Sequence, residues 1–223
     1  MGNYEELRKF ELHCHTHYSR CSAQKPEQIL KKCRKKNLDG LAITDHNTTK
    51  GYFETLKMAR KTMKDFELIY SNEIKTQFGD VLVYYMNEEI KTRDFYEVCD
   101  KVKEQDALAV IAHPFRLRER LRFKRDIQEI RKKVHGIEVY NGRTYYLGNV
   151  KADIEAECLG LARTAGSDAH FSFEIGNCMT MCKDELRKSI RKKQTVLQYN
   201  PVRSFLTTLP GSLLSLKART RSQ

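Results

Sequence analysis

The sequence predicts an α/β fold around a mainly parallel sheet, and three observations predict it. Short apolar runs alternate with segments whose apolar side chains recur every three or four positions. Seven or eight such strand–helix units fill 223 residues, which fits a closed barrel better than an open sheet. No internal repeat or low-complexity linker divides the chain, and its length suits one large domain.

The elements follow in order. Lys9 to Cys14 alternates, with Phe10, Leu12 and Cys14 on one face and Glu11, His13 and His15 on the other. Pro26 opens a helix, where its missing N–H costs nothing, and Ile29, Leu30 and Cys33 form its inner stripe. Gly40 to Thr44 reads as a buried strand, and Tyr52, Phe53, Leu56, Ala59 and Met63 as a helical stripe. Phe66 to Tyr70 and Val81 to Tyr85 are the next strands, followed by a helix on Phe95, Val98, Cys99 and Val102. Leu108 to Ala112 is a buried strand, and a helix carrying Ile127, Ile130 and Val134 comes after it. Gly136 to Tyr140, Leu161 to Ala165 and Ile175 to Cys182 complete the strands. Val150, Ile154 and Cys158 mark one further helix, and Leu186 and Ile190 mark the last. The pattern breaks after Asn200, so the expected division is a barrel over 1–199 and a short basic C-terminal appendage over 200–223, Arg221 and its neighbours forming its end.

Composition narrows the function. No apolar run approaches the ~20 residues of a membrane helix, so no membrane span is expected. With no secretory signal at the start, the seven cysteines are expected to be reduced thiols of a cytoplasmic protein. Cys14 faces the core, Cys33, Cys99 and Cys158 lie on helix stripes, and Cys178 and Cys182 share a strand face. Lysine and arginine total 41 against 29 acids, a net charge of +12. Two segments hold all of that excess: 116–133, with nine basic residues against three acids, and 187–223, with nine and none. Local positive charge of this kind points to anionic partners, either phosphate esters or nucleic acid.

The polar residues cluster where strands end. His13 and His15 close the first strand, Asp45 and His46 the second, and Glu73 follows the third. His113 follows Leu108 to Ala112, Glu138 and Asn141 lie at the next strand's end, and Asp168 and His170 follow the Leu161 strand. In parallel α/β folds these ends form one rim, where active sites are built. Imidazole and carboxylate together suit zinc, manganese or iron(II). The H-x-H pair at His13 and His15 points both rings to one side, and Glu73 can bridge two ions with its two oxygens. His17 is expected beside the cluster, and His135 to be structural.

These residues resemble the PHP (polymerase and histidinol phosphatase) family of metal-dependent phosphoesterases. The matching segments are ELHCHTHYS at 11–19, LAITDHNT at 41–48, Asn72-Glu73-Ile74, GDVLV at 79–83, IAHP at 111–114, IEVYNGR at 137–143 and GSDAH at 166–170. The resemblance implies a distorted (β/α)7 TIM-like barrel with two or three divalent ions (Mn, Zn or Fe) at its rim. One ion would be held by His13, His15, Glu73 and Asp168, and a second by Glu73 and His113. A third would involve His46 and His170. Two departures bear on this set. Arg20-Cys21 stands where many members have an Asp, which removes a ligand of the third ion and leaves it the weakest. Asp80 stands where many have a His, a harder donor that tilts the second ion toward manganese or iron.

The function expected is hydrolysis of phosphate esters by a metal-bound hydroxide, with Arg143 gripping a phosphate oxygen and His46 or His170 assisting the leaving group. A nucleotide or small phosphomonoester is the favoured substrate, and an oligonucleotide engaged by the two basic segments the competitor. The alternative class is a non-catalytic PHP-like nucleic-acid-binding protein. The intact ionisable set argues against it, since a barrel without chemistry has no use for so costly a rim. A metal-dependent amide hydrolase on a related barrel is disfavoured, because no strand-end lysine stands ready as a ligand.

Overall fold

The computed structural model describes residues 7–206, the side chain of Arg120 apart. Most of the expected C-terminal appendage, 207–223, lies outside the described residues.

Ten strands form two five-stranded sheets among the described residues. The first holds β1 (Arg8–Cys14), β2 (Gly40–Ile43), β3 (Glu67–Ile69), β9 (Cys178–Cys182) and β10 (Val196–Tyr199), in the order β10-β9-β1-β2-β3. The second holds β4 (Ser71–Lys75), β5 (Asp80–Tyr84), β6 (Leu108–Ile111), β7 (Gly136–Asn141) and β8 (Ala162–Gly166), in chain order. The mainly parallel sheet expected is in fact mixed. β1, β2 and β3 run parallel, as do β6, β7 and β8, but β9 and β10 add antiparallel at one edge. The β4–β5 hairpin likewise brings two antiparallel strands to the other sheet. The ladders do not close into one barrel. Two isolated bridges, Cys14 to Ala169 and His46 to Glu73, join the sheets at their seams.

Among the described residues the helices α1 (Pro26–Lys35), α2 (Lys50–Thr62), α3 (Phe95–Glu104), α4 (Ile127–Ile130), α5 (Tyr146–Cys158) and α6 (Leu186–Arg191) cover the sheets. Helix α1 starts at Pro26, and the Gln28 side chain reaches back 2.9 Å to accept the N–H of Lys25. Asp94 caps α3 by accepting from the N–H groups of Tyr96 and Glu97. The core has three parts. Phe10, Leu12, Leu82, Tyr84, Leu108 and Val110 fill the space between the sheets. Helices α3, α4 and α5 cover the second sheet through Phe95, Val102, Ile127 and Ala152, and α1 covers the first through Ile29 and Cys33. Each fully buried Leu, Ile or Phe contributes about 1.5–3 kcal/mol. Tyr84, the largest, donates its hydroxyl to the carbonyl of Leu12 at 3.0 Å, so its polar end stays paired inside the core.

Several local expectations need correcting. Helix α4 is a single turn, and Val134 is buried beyond its end. Strand β9 begins only at Cys178, because 171–177 is turn. Glu73 does not follow a strand but lies within β4, which, like β10, the sequence reading did not identify. Helix α5 buries Gly148, Asn149, Ala152 and Ala156, leaving Ile154 and Cys158 exposed; α2 buries Gly51, Thr55 and Ala59, leaving Phe53 exposed. Beyond β10 the chain is helical over 201–206, where Ser204 is buried 3.9 Å from the Cys178 thiol.

Candidate metal centre

The strand ends converge on Glu73. Its Oε1 lies 3.1 Å from His113 Nε2 and 3.4 Å from His13 Nε2, and its Oε2 lies 2.9 Å from His46 Nδ1 and 3.3 Å from His15 Nε2. Asp168 approaches from β8, with Oδ1 3.3 Å from His15 Nε2 and 3.6 Å from His13 Nε2. Asp80, on β5, stands 4.0 Å from His113 Nε2. His13, His15, Glu73, His113 and Asp168 are all buried; His46, with 36% of its side chain exposed, marks the open side. Two of these residues sit where the backbone is strained. His113 has φ +30° and Asp168 φ +53°, left-handed values that a residue with a Cβ holds only when its surroundings impose them.

A surrounding layer of hydrogen bonds sets which nitrogen of each ring faces inward. Glu138 lies 2.8 Å from His13 Nδ1 and also accepts from the N–H of His113 and the side chain of Asn141. His13 therefore carries its proton on Nδ1 when neutral and turns a lone pair on Nε2 toward the carboxylates. Ser19 does the same for His15 by a longer chain. Its hydroxyl proton goes to Asp45 at 2.6 Å, so its oxygen can only accept, here from His46 N–H and His15 Nδ1–H. His170 Nδ1 bonds the carbonyl of Asp168 at 2.8 Å, which leaves its Nε2 as an acceptor as well.

With the rings neutral, the result is an arrangement of acceptors facing acceptors. Opposite Glu73 and Asp168, His13 Nε2 and His15 Nε2 are buried with no hydrogen-bond partner among the described residues; His113 instead turns its Nε2 to Glu73 at 3.1 Å. Orphaned lone pairs opposite carboxylates are costly unless a cation lies among them. Three sets of ligand atoms, each within 4.8 Å of one another, can hold such ions: His13, His15 and Asp168; His13, Glu73 and His113; and His15, Cys21 and His46. The residues present therefore fit divalent metals. Electrostatics agree. Burial opposes charge on Glu73, yet His46 and His13 hold its carboxyl well below the usual range.

The remaining expected residues fall around this centre. His170 packs on His15, ring centroids 4.6 Å apart, without joining any of the three sets. Arg143 is near the rim but pairs with Glu174 at 2.8 Å. A different arginine reaches the cluster: Arg116, the first of the basic stretch, bonds Asp168 and contacts Asn141. Others in that stretch have local partners, Arg122 on the carbonyls of Arg116 and Leu117 and Arg125 on Glu129. His17 is exposed, 3.8 Å from Glu54, and His135 accepts from the N–H of Ala109. Sequence reasoning missed Cys21, Arg116 and the orienting role of Glu138. Glu138 left a signal as an acid on an apolar strand, and Arg116 left one as the first residue of the basic stretch that directly follows His113-Pro114.

The PHP domain matches residues 11–159, more than half of the chain. The chain belongs to the PHP-domain family. A PHP-associated region follows over 147–195. Two uncharacterized proteins of Methanocaldococcus jannaschii are similar in sequence. One is 38% identical over 176 residues, covering 76% of this chain and 68% of the relative. The other is 36% identical over 118 residues, covering 48% and 68%. In fold the chain resembles a two-domain protein of Bacteroides vulgatus containing a predicted PHP-like metal-dependent phosphoesterase, with TM-score 0.73, 19% identity and coverage of 91% of this chain and 70% of that one. It also resembles PsfC of Pseudomonas syringae, with TM-score 0.70, 18% identity and coverage of 97% and 99%. Metal-dependent phosphoester hydrolysis is the activity that family membership and the clustered ligand side chains support. No helix among the described residues is long and apolar enough to cross a membrane.

Proposed function

We propose that this PHP protein hydrolyses a small phosphomonoester or nucleotide at the Glu73-centred site, and that its two sheets are halves of a distorted (β/α)7 barrel. The barrel reading is supported by the bridges Cys14 to Ala169 and His46 to Glu73 at opposite seams. The activity rests on one observation above all: the buried Nε2 of His15, without a hydrogen-bond partner among the described residues, faces oxygens of Glu73 and Asp168 at 3.3 Å each. His13, His15, Glu73 and Asp168 would hold one ion, Glu73, His113 and Asp80 a second, with His46 and His170 beside a third. Divalent ions bound there supply an acidified water and a clamp on the phosphoryl oxygens.

The chain's own groups do the rest. Glu138 and Ser19 fix the ring orientations of His13 and His15. Arg116 faces the ligand carboxylates, and its planar fork suits a phosphate that displaces it from Asp168. Arg143, steadied by Glu174, offers a second cation at the same rim. His46, on the open side, would give a proton to the departing oxygen when no third ion holds it.

The test is a metal-reconstituted panel of nucleoside monophosphates, bisphosphates, histidinol phosphate and short RNA and DNA, run on the wild type and on His13→Ala and Asp168→Ala. Turnover with added manganese is expected in the wild type, with loss in both variants and no change in fold by circular dichroism. Normal turnover in either variant would overturn the assignment. A chain that binds oligonucleotide yet hydrolyses nothing in the panel would instead be a non-catalytic nucleic-acid-binding protein.

A further inference from the structure

The segment 16–22 lacks the acid that the resemblance implies after Ser19, and the structure shows what occupies its place. Arg20 is exposed, whereas Cys21 is turned in, only 5% exposed. The turn holding it is fastened on both sides. Ser19 donates to Asp45 at 2.6 Å, and Ser22 Oγ donates to the carbonyl of His170 at 2.9 Å. The Cys21 thiol thereby lies within 4.8 Å of nitrogens of both His15 and His46. Independently of the thiol, His15 Nε2 is fully buried and unpartnered at the same mouth.

We infer that Cys21 and His46, joined by His15 whenever the first ion does not hold it, form a thiolate–imidazole position at which this chain takes a soft or borderline divalent ion, zinc before manganese. The inference rests on the metal-centre reading above and deepens it. His15 has a single free nitrogen, because Ser19 occupies the other, so it serves one ion at a time. Cys21 and His46 are the donors special to this position. A thiolate prefers zinc or cobalt, while the Glu73, Asp80 and Asp168 oxygens suit harder ions such as manganese. The loss of an acid after Ser19 therefore changes the selectivity of the third position rather than abolishing it. One mouth thus presents two donor chemistries side by side.

Cobalt(II) titration of chelator-stripped protein tests this without reference to turnover. A thiolate-to-cobalt charge-transfer band is expected in the near ultraviolet. It should vanish in Cys21→Ser and in Cys21→Asp and persist in Cys158→Ser, the exposed-cysteine control. Zinc should quench the band and manganese should not. Metal content should fall by one ion in Cys21→Ser, and Cys21→Asp should regain that ion without the band. Cobalt binding with no such band in the wild type, or a band surviving Cys21→Ser, overturns the thiolate position while leaving the rest of the centre standing. Failure to bind any ion would instead remove the metal-centre reading itself.

Discussion

His13 and His15 are two residues apart on one strand, yet their surroundings drive their protonation in opposite directions. Burial works against charge on both. For His13 the carboxylates of Glu138 and Glu73 outweigh it and raise the ring to about 10 from an ordinary 6.5. For His15 burial is reinforced by His170 and His46, and the ring falls well below that value. In the metal-free chain a proton on His13 thus supplies the positive charge that an ion would bring. Its contribution to stability is complete below pH 6.5 and fades as pH rises through about 10. An ion must displace that proton, so apparent metal affinity should rise about tenfold per pH unit across the same window while one proton is released. Calorimetric titration near pH ~8 in buffers of different ionisation enthalpy should report this release. Glu138→Gln, which keeps an acceptor oxygen but removes the charge, should move the window down; release unchanged in that variant would refute the account. These side chains were visible in the sequence because each ends its strand. Their protonation was not, since Glu138 lies 125 residues from His13 in the chain.

At the scale of elements, the strands bearing the proposed ligands at their ends could be read from apolar runs, but the docked faces of α2 and α5 could not. Apolar periodicity weights large side chains, whereas a helix lying close against a site needs small ones. In α2 the line facing inward is Gly51, Thr55 and Ala59; in α5 it is Gly148, Asn149, Ala152 and Ala156. Gly51 shows why. A Cβ there would fall 2.0 Å from Asp45 Oδ2 and 2.5 Å from Thr16 Oγ1. Those atoms already bond each other at 2.6 Å, and Asp45 also holds Ser19. Gly51→Ala should cost about 1–3 kcal/mol, the usual range for overpacking, because Asp45 cannot yield without loosening the turn that carries Ser19 and Cys21. Denaturant unfolding measures this, and an unchanged midpoint would mean that α2 slides to make room. Strand β4 escaped detection for a related reason. Its sequence, SNEIK, is polar because its middle residue is the hub of the site, and burial there is sustained by pairing with imidazoles rather than by apolar contact.

For the whole molecule, the proposed metal positions straddle the join between the sheets. His13, His15 and His46 belong to β1 and the end of β2 in the first sheet, whereas Glu73, Asp80, His113 and Asp168 come from β4, β5 and the ends of β6 and β8 in the second. Among the described residues, backbone pairing across the seams is confined to isolated bridges, and one of them runs between the proposed ligands His46 and Glu73. Ions bound there act as cross-links where the ladders do not continue, in addition to any part in chemistry. Binding only to the folded chain, an ion at 100 times its dissociation constant adds about 2.7 kcal/mol. For a chain of this size that corresponds to a rise in Tm of roughly 5–11 °C. Chelation should therefore lower Tm by that amount for each ion removed and raise amide exchange at 14–16, 46–47, 72–74 and 167–169. The centres of β6 and β7, paired on both sides and packed against the core, should be spared. A uniform rise in exchange across both sheets would mean that the ions stabilise the fold globally rather than at its seams, and an unchanged Tm would mean that the sheets hold together without them.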